Sequence, residues 1–486
     1  MSISTTSIGE RVSAQSSLNL YRAVWRWHFY AGLFVLPFMI TLAITGALYL
    51  FKDELDNAIH ADLKRIEVVQ NAPAVTPSEM IANAIAAVPG TAVKFTTPTD
   101  PGASTEITVN TSQGKRAVYV NTYTGQVLGS LPDRGTVMWT IRYLHSLKYF
   151  GTYTRYLIEI AAGWSILLVA TGIYLWWPRS QTGGVVTVRG TPKKRVFWRD
   201  MHAVTGLFVG VFIVFLAVTG MPWSGVWGEK VNEWANGNNF GYPAGVYVDV
   251  PMSGQRLNDV AKTSWSLEQA QVPLSAPPAA ANGHDHGQHV AAQTDGDMAM
   301  DGMAMESMPG TPEAQPIGID RAIANFDELG LAPGYSIALP NRPTGVYSGT
   351  VYPHDLSKQR VTHLDQYTGK PLIDMHYADY GPLGRGLEWG INVHMGQEYG
   401  LANQIILTAA CLAIILLATS GGIMWWKRRP KGSLGVPPMP QNKRTLYGLA
   451  AILAIGGMIF PLVGASLVVM LVLDLVVQRV GRRRPA

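Results

Sequence analysis

The chain has 486 residues, of which 48% are hydrophobic and only 15% charged, and its formal net charge is +5. This composition is typical of a membrane protein and argues against a large soluble enzyme. The basic residues lie beside apolar runs, so the charge indicates membrane topology and not a nucleic-acid interface. The single cysteine, Cys411, excludes disulfides and thiolate metal sites within one chain.

A basic, aromatic stretch with one histidine occurs twice, each time before an apolar run. The first copy is Trp25-Arg26-Trp27-His28, then Gly32-Leu33-Phe34-Val35 and Thr45-Gly46; the second is Trp198-Arg199 and His202, then Gly206-Leu207-Phe208-Val209 and Thr219-Gly220. An ionisable residue at the end of a transmembrane helix is a functional candidate by default. Two such residues in matching places predict one site built from two halves.

Four apolar segments are near the ~20 residues needed to cross a bilayer core. The predicted spans are residues 24–51, 157–177, 202–222 and 401–426. The first has no small-residue cleavage pattern and is interpreted as an uncleaved anchor. A further apolar stretch would be roughly 50 Å long as one helix, too long for a single span. Because Pro461 lies near its middle, two short helices are predicted, at 446–460 and 462–479.

The loops between these spans differ in charge. Residues 178–201 and 427–445 are strongly basic, and the tail 480–486 contains three arginines. Short basic loops stay in the cytoplasm. The N-terminal segment 1–23 and the C-terminal tail are therefore predicted to be cytoplasmic, with 52–156 and 223–400 on the opposite side.

The two segments outside the membrane follow the same order of elements. Helices are predicted at 77–88 and 316–329, and extended runs at 92–97, 104–110, 116–123, 334–339, 346–352 and 360–367. Each set ends in a Tyr-Thr-Gly turn, Asn121 to Gly125 and Asp365 to Gly369, which suits a tight hairpin. Two duplicated α+β domains are predicted. Residues 270–315 are rich in Ala, Pro, Gly, Met and His and are predicted to be a disordered insert.

A second pair of histidines also repeats. His145 and His394 are each followed by an aromatic-Gly pair and, thirty-one residues later, by Trp176 and Trp425 respectively. Both histidines precede a helix that returns to the cytoplasm, so they are predicted near the outer face. His28 and His202 are predicted at the inner face.

Neutral imidazole is a good axial ligand for haem iron, and ligation by two histidines favours electron transfer. One histidine from each of two facing helices, in an apolar pocket, would hold one haem. Two such pairs, His28 with His202 and His145 with His394, would carry electrons across the bilayer. Small residues such as Gly32 and Gly206 would let a flat macrocycle approach. The alternative is that these are structural interfacial histidines that bind lipid headgroups or loop carbonyls.

The insert contains a run of imidazole and thioether side chains that suits copper, with methionine favouring Cu(I). The candidate ligands are His284, His286, His289, Met298, Met300, Met303 and Met305. The alternative is a low-complexity insert without a ligand. Because it lies outside the duplicated pattern, any metal binding here is interpreted as accessory.

Four motifs together resemble the PepSY-associated transmembrane family over about residues 20–430. They are the Trp-Arg helix starts, the Thr-Gly pairs, Trp176-Trp177-Pro178-Arg179 and the Tyr-Thr-Gly turns. The resemblance implies a bacterial inner-membrane protein; some members look like ferric-siderophore reductases with two b-type haems. It supports the four histidines as ligands. The His/Met insert and the C-terminal hairpin depart from shorter members and make copper a credible alternative substrate.

The sequence thus predicts a membrane all-α bundle with four core spans in two repeats, a C-terminal helical hairpin and two periplasmic α+β PepSY-like domains. The leading function is haem-dependent reduction of a periplasmic ferric siderophore or other metal complex, with a cytoplasmic reductase or quinol as electron donor. The alternatives are a cupric reductase or copper-handling protein, and a non-enzymatic membrane protein that binds a peptide, protein or copper ion.

Overall fold

The computed structural model describes most of the chain. The described residues are 6–178, 184–237, 250–261, 263–276, 315–430 and 454–482, with 435, 436, 447 and 451. The helices are α1 (Thr6–Tyr49), α2 (Lys52–Ile59), α3 (Ala61–Lys64), α4 (Pro77–Ala87), α5 (Val137–His145), α6 (Arg155–Trp176), α7 (Arg195–Gly220), α8 (Val226–Gly237), α9 (Leu257–Val260), α10 (Gly318–Glu328), α11 (Pro382–His394), α12 (Gly400–Arg428) and α13 (Pro461–Arg482).

Four of the described helices are long and apolar enough to cross a membrane. Their spans are Leu20–Tyr49, Arg155–Trp176, Arg195–Trp223 and Gly400–Arg428. The four predicted spans are confirmed as helices, and all four extend beyond the predicted span into flanking basic residues. Within the bundle, α1 packs against α6 and α12, and α7 packs against the same two helices. This closed arrangement brings residues distant in sequence into the middle of the bundle.

The last helix begins at Pro461, where the sequence analysis places a break. Proline is favoured in the first turn of a helix because its missing N–H would have no partner there. α13 packs on α6, where the indole of Trp164 donates a hydrogen bond to Ser466 (2.9 Å). Of the other predicted helix, 446–460, residues 454–459 are helical, and most of the residues before 454 lie outside the described residues.

Strands from both segments outside the bundle form one continuous sheet. The strands are β1 (Thr91–Thr96), β2 (Thr105–Thr111), β3 (Gly114–Val120), β4 (Val127–Pro132), β5 (Met252–Arg256), β6 (Gln271–Pro273), β7 (Ser336–Ala338), β8 (Val346–Val351), β9 (Arg360–Asp365) and β10 (Pro371–His376). The eight-stranded sheet has the order β10-β9-β8-β7-β1-β2-β3-β4. Its centre is the antiparallel pairing of β1 with β7, where Phe95 lies opposite Ile337. The two predicted domains therefore share one sheet.

The predicted Tyr-Thr-Gly turns are hairpin turns, and each leads into a strand that the sequence analysis missed, β4 and β10. Gly125 and Gly369 both have φ +68°, a conformation that glycine adopts without steric penalty. The side-chain oxygen of Asn121 accepts hydrogen bonds from the backbone N–H groups of Tyr123 and Thr124. A side-chain oxygen of Asp365 accepts the equivalent bonds from Tyr367 and Thr368. The helices α4 and α10 cover one face of the sheet, where Ile319 and Ile323 pack against the cores of both halves.

The predicted start of the disordered insert, at residue 270, is wrong. Residues 271–273 form β6, which pairs with β5 in a small second sheet. Ala270 and Val272 are buried with Leu257 and Leu267 in a core against the main sheet. Buried Ala270 and Val272 alternate with exposed Gln271, which is the pattern of a strand. In the sequence this short pattern is hard to recognise among the surrounding Ala and Pro residues. Residues 277–314 of the insert lie outside the described residues.

We expect Gly349→Ala to destabilise the sheet. A methyl group at this position would lie 2.6 Å from the ring of Phe326, a fully buried residue of α10. Overpacking of this kind costs about 1–3 kcal/mol. The measurement is the thermal unfolding midpoint of the purified protein. Gly254→Ala is the control, because a methyl group there meets nothing within 4 Å; equal stability of the two variants would contradict this packing.

Candidate functional site

The structure brings the four predicted histidines together in two pairs. The sheet-side pair consists of His145, the last residue of α5, and His394, the last residue of α11. The ring centres are 6.4 Å apart and the ring planes are inclined at 88°. Each histidine is presented by a short helix that packs on a membrane-length helix of its own half of the chain, α5 on α1 and α11 on α7.

The distal pair consists of His28 in α1 and His202 in α7. Its geometry is nearly identical, with ring centres 6.4 Å apart and planes inclined at 87°. Each pair therefore takes one ring from the first half of the chain and one from the second. The pairing expected from the sequence repeats is the one that the fold brings together.

Every one of the four imidazoles is oriented by a hydrogen bond from its Nδ1 to a neighbouring helix. The partners are Thr45 for His145 (2.9 Å), Thr219 for His394 (2.8 Å), Thr171 for His28 (2.9 Å) and the carbonyl of Leu417 for His202 (3.0 Å). Ser420 lies 3.4 Å from the same nitrogen of His202. All four Nδ1 atoms therefore have a hydrogen-bond partner within the protein.

These partners determine which nitrogen carries the proton. The hydroxyls of Thr45, Thr219 and Thr171 each donate to the carbonyl one turn earlier in their own helix, at 2.6, 2.7 and 2.8 Å. Their oxygens are then left as acceptors, and a carbonyl such as that of Leu417 is always an acceptor. Each Nδ1 must therefore donate, which leaves the lone pair on Nε2. Metal-binding histidines are commonly fixed in this way.

A glycine beside each hydroxyl residue lies against the imidazole ring. A methyl group at Gly46, Gly220 or Gly172 would lie 3.4 Å from Cε1 of the facing histidine, and one at Gly421 would lie 3.2 Å from it. The sequence analysis named two of these pairs, Thr45-Gly46 and Thr219-Gly220, without giving them a role.

The other two, Thr171-Gly172 and Ser420-Gly421, were missed, although a hydroxyl-Gly dipeptide in every predicted span is a recognisable signal. The glycines proposed from the sequence, Gly32 and Gly206, instead face Leu168 and Leu417.

The separation of the rings fits a shared metal centre. A metal–imidazole bond is about 2.0 Å long, and the ring centre lies about 1.15 Å further on, since ring bonds are about 1.35 Å, so two imidazoles on opposite sides of one metal ion would have ring centres about 6.3 Å apart. The observed separation is 6.4 Å in both pairs. Burial also lowers the pKa of His145 and His394 far below the usual range, so both are neutral at physiological pH. The residues present therefore fit bis-histidine haem ligation.

A cavity of about 440 Å³ contains the sheet-side pair. Its deep wall is apolar and comes from the membrane-length helices, including Leu42, Ala43, Ile213 and Leu407. Its wall on the sheet side carries four cations, Arg134, Arg142, Lys148 and Arg155, which we call the basic rim. An apolar interior with a few convergent polar groups is the usual form of a ligand site.

Two carboxylates also line this cavity, and neither offsets the charge of the basic rim fully. Glu159 is buried and accepts hydrogen bonds from the backbone N–H groups of Val226 and Trp227 at the start of α8. Burial, together with nearby Glu388, raises the pKa of Glu268 to about 7, so this carboxyl is partly neutral at physiological pH. The rim therefore retains a net positive charge.

The remaining sequence candidates lie elsewhere. The seven predicted copper ligands between His284 and Met305 fall outside the described residues, and their metal binding stays a prediction. Within the described ranges, no group of three or more His, Cys, Asp or Glu side chains is placed to hold a metal ion. Cys411 is buried in the apolar core of the bundle beside Ile414, as expected for a packing residue.

The fold and the paired histidines define a class, a membrane-spanning helical bundle with a β-sheet domain at one end. The sequence model of the PepSY-associated TM region matches residues 25–428, and the chain belongs to that family. A search of curated proteins returned no match. The family assignment agrees with the resemblance seen in the sequence and extends over all four histidines.

We expect Thr45→Val to weaken cofactor binding at the sheet-side pair. The change keeps the shape of the side chain but removes the acceptor of the His145 N–H, and loss of such an orienting partner typically reduces metal affinity about 10–100-fold. The measurement is haem retained per chain after titration with a competing haem-binding protein. Thr45→Ser should restore retention. Thr41→Val, one turn earlier and exposed, is the control; an equal loss there would contradict the role of Thr45.

Proposed function

We propose that this protein is a two-haem electron-transfer protein of the bacterial inner membrane that reduces a periplasmic metal complex, with a ferric siderophore as the leading substrate. The observation that carries the proposal is the duplicated histidine pair with its enforced tautomer. Both pairs have the same ring separation of 6.4 Å, and every Nδ1 is hydrogen-bonded to an acceptor, which leaves each Nε2 available to a ligand.

His28 and His202 would hold one haem b, and His145 and His394 the other. A bound haem would supply reversible one-electron transfer at each pair, and ligation by two histidines favours electron transfer over oxygen binding. The protein's contribution is to fix each imidazole through Thr45, Thr219, Thr171 and Leu417, and to surround it with apolar side chains that exclude water. The perpendicular rings are set by these same hydrogen bonds.

The direction of electron flow follows from charge. The basic loops adjoin the distal pair, and short basic loops remain in the cytoplasm. A cytoplasmic reductase or a membrane quinol would therefore deliver electrons near His28 and His202, and the sheet-side pair would face the periplasm. One electron reduces Fe(III) of the substrate to Fe(II). Hard siderophore oxygens bind Fe(II) less tightly, which releases the iron.

The first test is the absorption spectrum of the purified protein and of single histidine variants. We expect a reduced-minus-oxidised b-type spectrum with two haems per chain. His202→Ala should lose one haem and keep the other, and His145→Ala should do the same for the other pair. His354→Ala is the control, because this exposed histidine binds Asp53 outside both pairs. A colourless, folded protein would sink the proposal in favour of a binding protein without haem.

The ring planes give a second, independent test. Perpendicular axial imidazoles leave two iron d orbitals nearly degenerate, which produces a strongly anisotropic low-spin ferric EPR signal. Because the planes are inclined at 87° and 88°, we expect both haems to show the large-gmax type of signal at low temperature. The rhombic signal typical of parallel imidazoles, from either haem, would contradict the geometry of that pair. His28→Ala should remove one component only.

A further inference from the structure

The basic rim of the sheet-side cavity has a property that haem ligation does not require. Its four cations come from separate elements: Arg134 follows β4, Arg142 lies in α5, Lys148 follows α5 and Arg155 begins α6. They are close enough that burial and the charges of the three arginines lower the pKa of Lys148. Like charges held together in this way repel one another, and a bound anion would offset that repulsion.

The rim has little compensation from acidic side chains. Arg134 has only a long contact of 3.8 Å with Asp133. In the part of the chain that the structure describes, no carboxylate lies within 4 Å of the charged groups of Arg142, Lys148 or Arg155. The guanidinium of Arg155 donates to the carbonyl of Trp223, which is a neutral partner.

The rim is also held in position. Arg134 and Arg142 both lie over the ring of Trp139, at 5.3 and 4.8 Å from its centre, and Lys148 lies over Tyr143. Arg134 itself has φ +59° and Leu147, immediately before Lys148, has φ +54°. Such conformations are unfavourable for side chains other than glycine and are often kept at ligand sites. Preorganised cations bind anions with a smaller loss of conformational entropy.

We infer that the basic rim binds carboxylate groups of the electron acceptor, so that the protein prefers anionic, carboxylate-bearing metal chelates to neutral ones. The inference rests on the proposed function, because it names the substrate class of the sheet-side pair. Guanidinium groups match carboxylates in a planar, two-bond geometry, and a cationic cleft raises the local concentration of anions. Haem propionates are a second source of carboxylate, and the test separates the two.

The test uses the full-length protein and a redox-inert probe, Ga(III) citrate, with a neutral Ga(III) trihydroxamate for comparison. Equilibrium dialysis should give tighter binding of the citrate complex, weakened by added salt. In Arg134→Gln/Lys148→Gln the Kd for Ga(III) citrate should rise about tenfold, as expected for two partly screened charge contacts. The Kd for the neutral complex should not change.

The matched control is Lys115→Gln/Lys370→Gln, which removes the same charge from exposed positions outside the cavity. It should bind Ga(III) citrate as the parent protein does. Haem content is measured on the same samples. A loss of haem from the rim variant, with unchanged Ga(III) citrate binding, would assign the rim to haem propionates and overturn the inference. Equal binding of both gallium complexes would also overturn it. Absence of haem from the parent protein would overturn the proposed function. This outcome is distinguishable from failure of the inference, because binding of a Ga(III) complex in dialysis needs no electron transfer.

Discussion

The arrangement of the helix bundle depends on one contact repeated four times, a hydrogen bond from an imidazole Nδ1 to an acceptor on the next helix. A hydroxyl in a membrane helix normally bonds only to its own backbone, as Thr45 does to the carbonyl of Thr41. Its oxygen can still accept from the imidazole, so one side chain serves two purposes. The adjacent glycine leaves the ring space to approach the helix. Together these two residue types hold a polar ring in an apolar setting without leaving an unpaired N–H group.

The sheet places a second constraint on the same arrangement. The pairing of β1 with β7 joins the two halves outside the bundle, and Ser78 near the start of α4 bonds to Asp320 of α10 across the junction. The short helices α5 and α11, which end in His145 and His394, follow directly in sequence from the outer strands or their turns. The positions of the sheet-side ligands are therefore fixed from two directions, by the sheet above and by Thr45 and Thr219 below.

Much of this could be predicted from the sequence, because its signals are local and periodic. Apolar length gave the four spans, and the repeated position of His28 and His202 gave the distal pair. The fusion of two domains into one sheet could not be predicted, since the pairing of Phe95 with Ile337 joins residues more than 200 apart, which differ in local pattern. Thr171 and Ser420 were missed because they lie in the second and fourth spans, whereas the repeated motif from Trp-Arg to Thr-Gly lies in the first and third. The basic rim was missed because its cations are scattered between Arg134 and Arg155 and converge only after folding.

The division of each histidine pair between the two halves has a consequence for assembly. His28 and His145 are synthesised early, but their partners follow the loop after α6, and the last orienting group, the carbonyl of Leu417, lies in α12. Neither pair can form until the third membrane-length helix, α7, has been made, because α7 supplies His202 to one pair and Thr219, the partner of His394, to the other. A chain truncated before α12 would therefore contain both rings of each pair but would lack the carbonyl of Leu417 that orients His202.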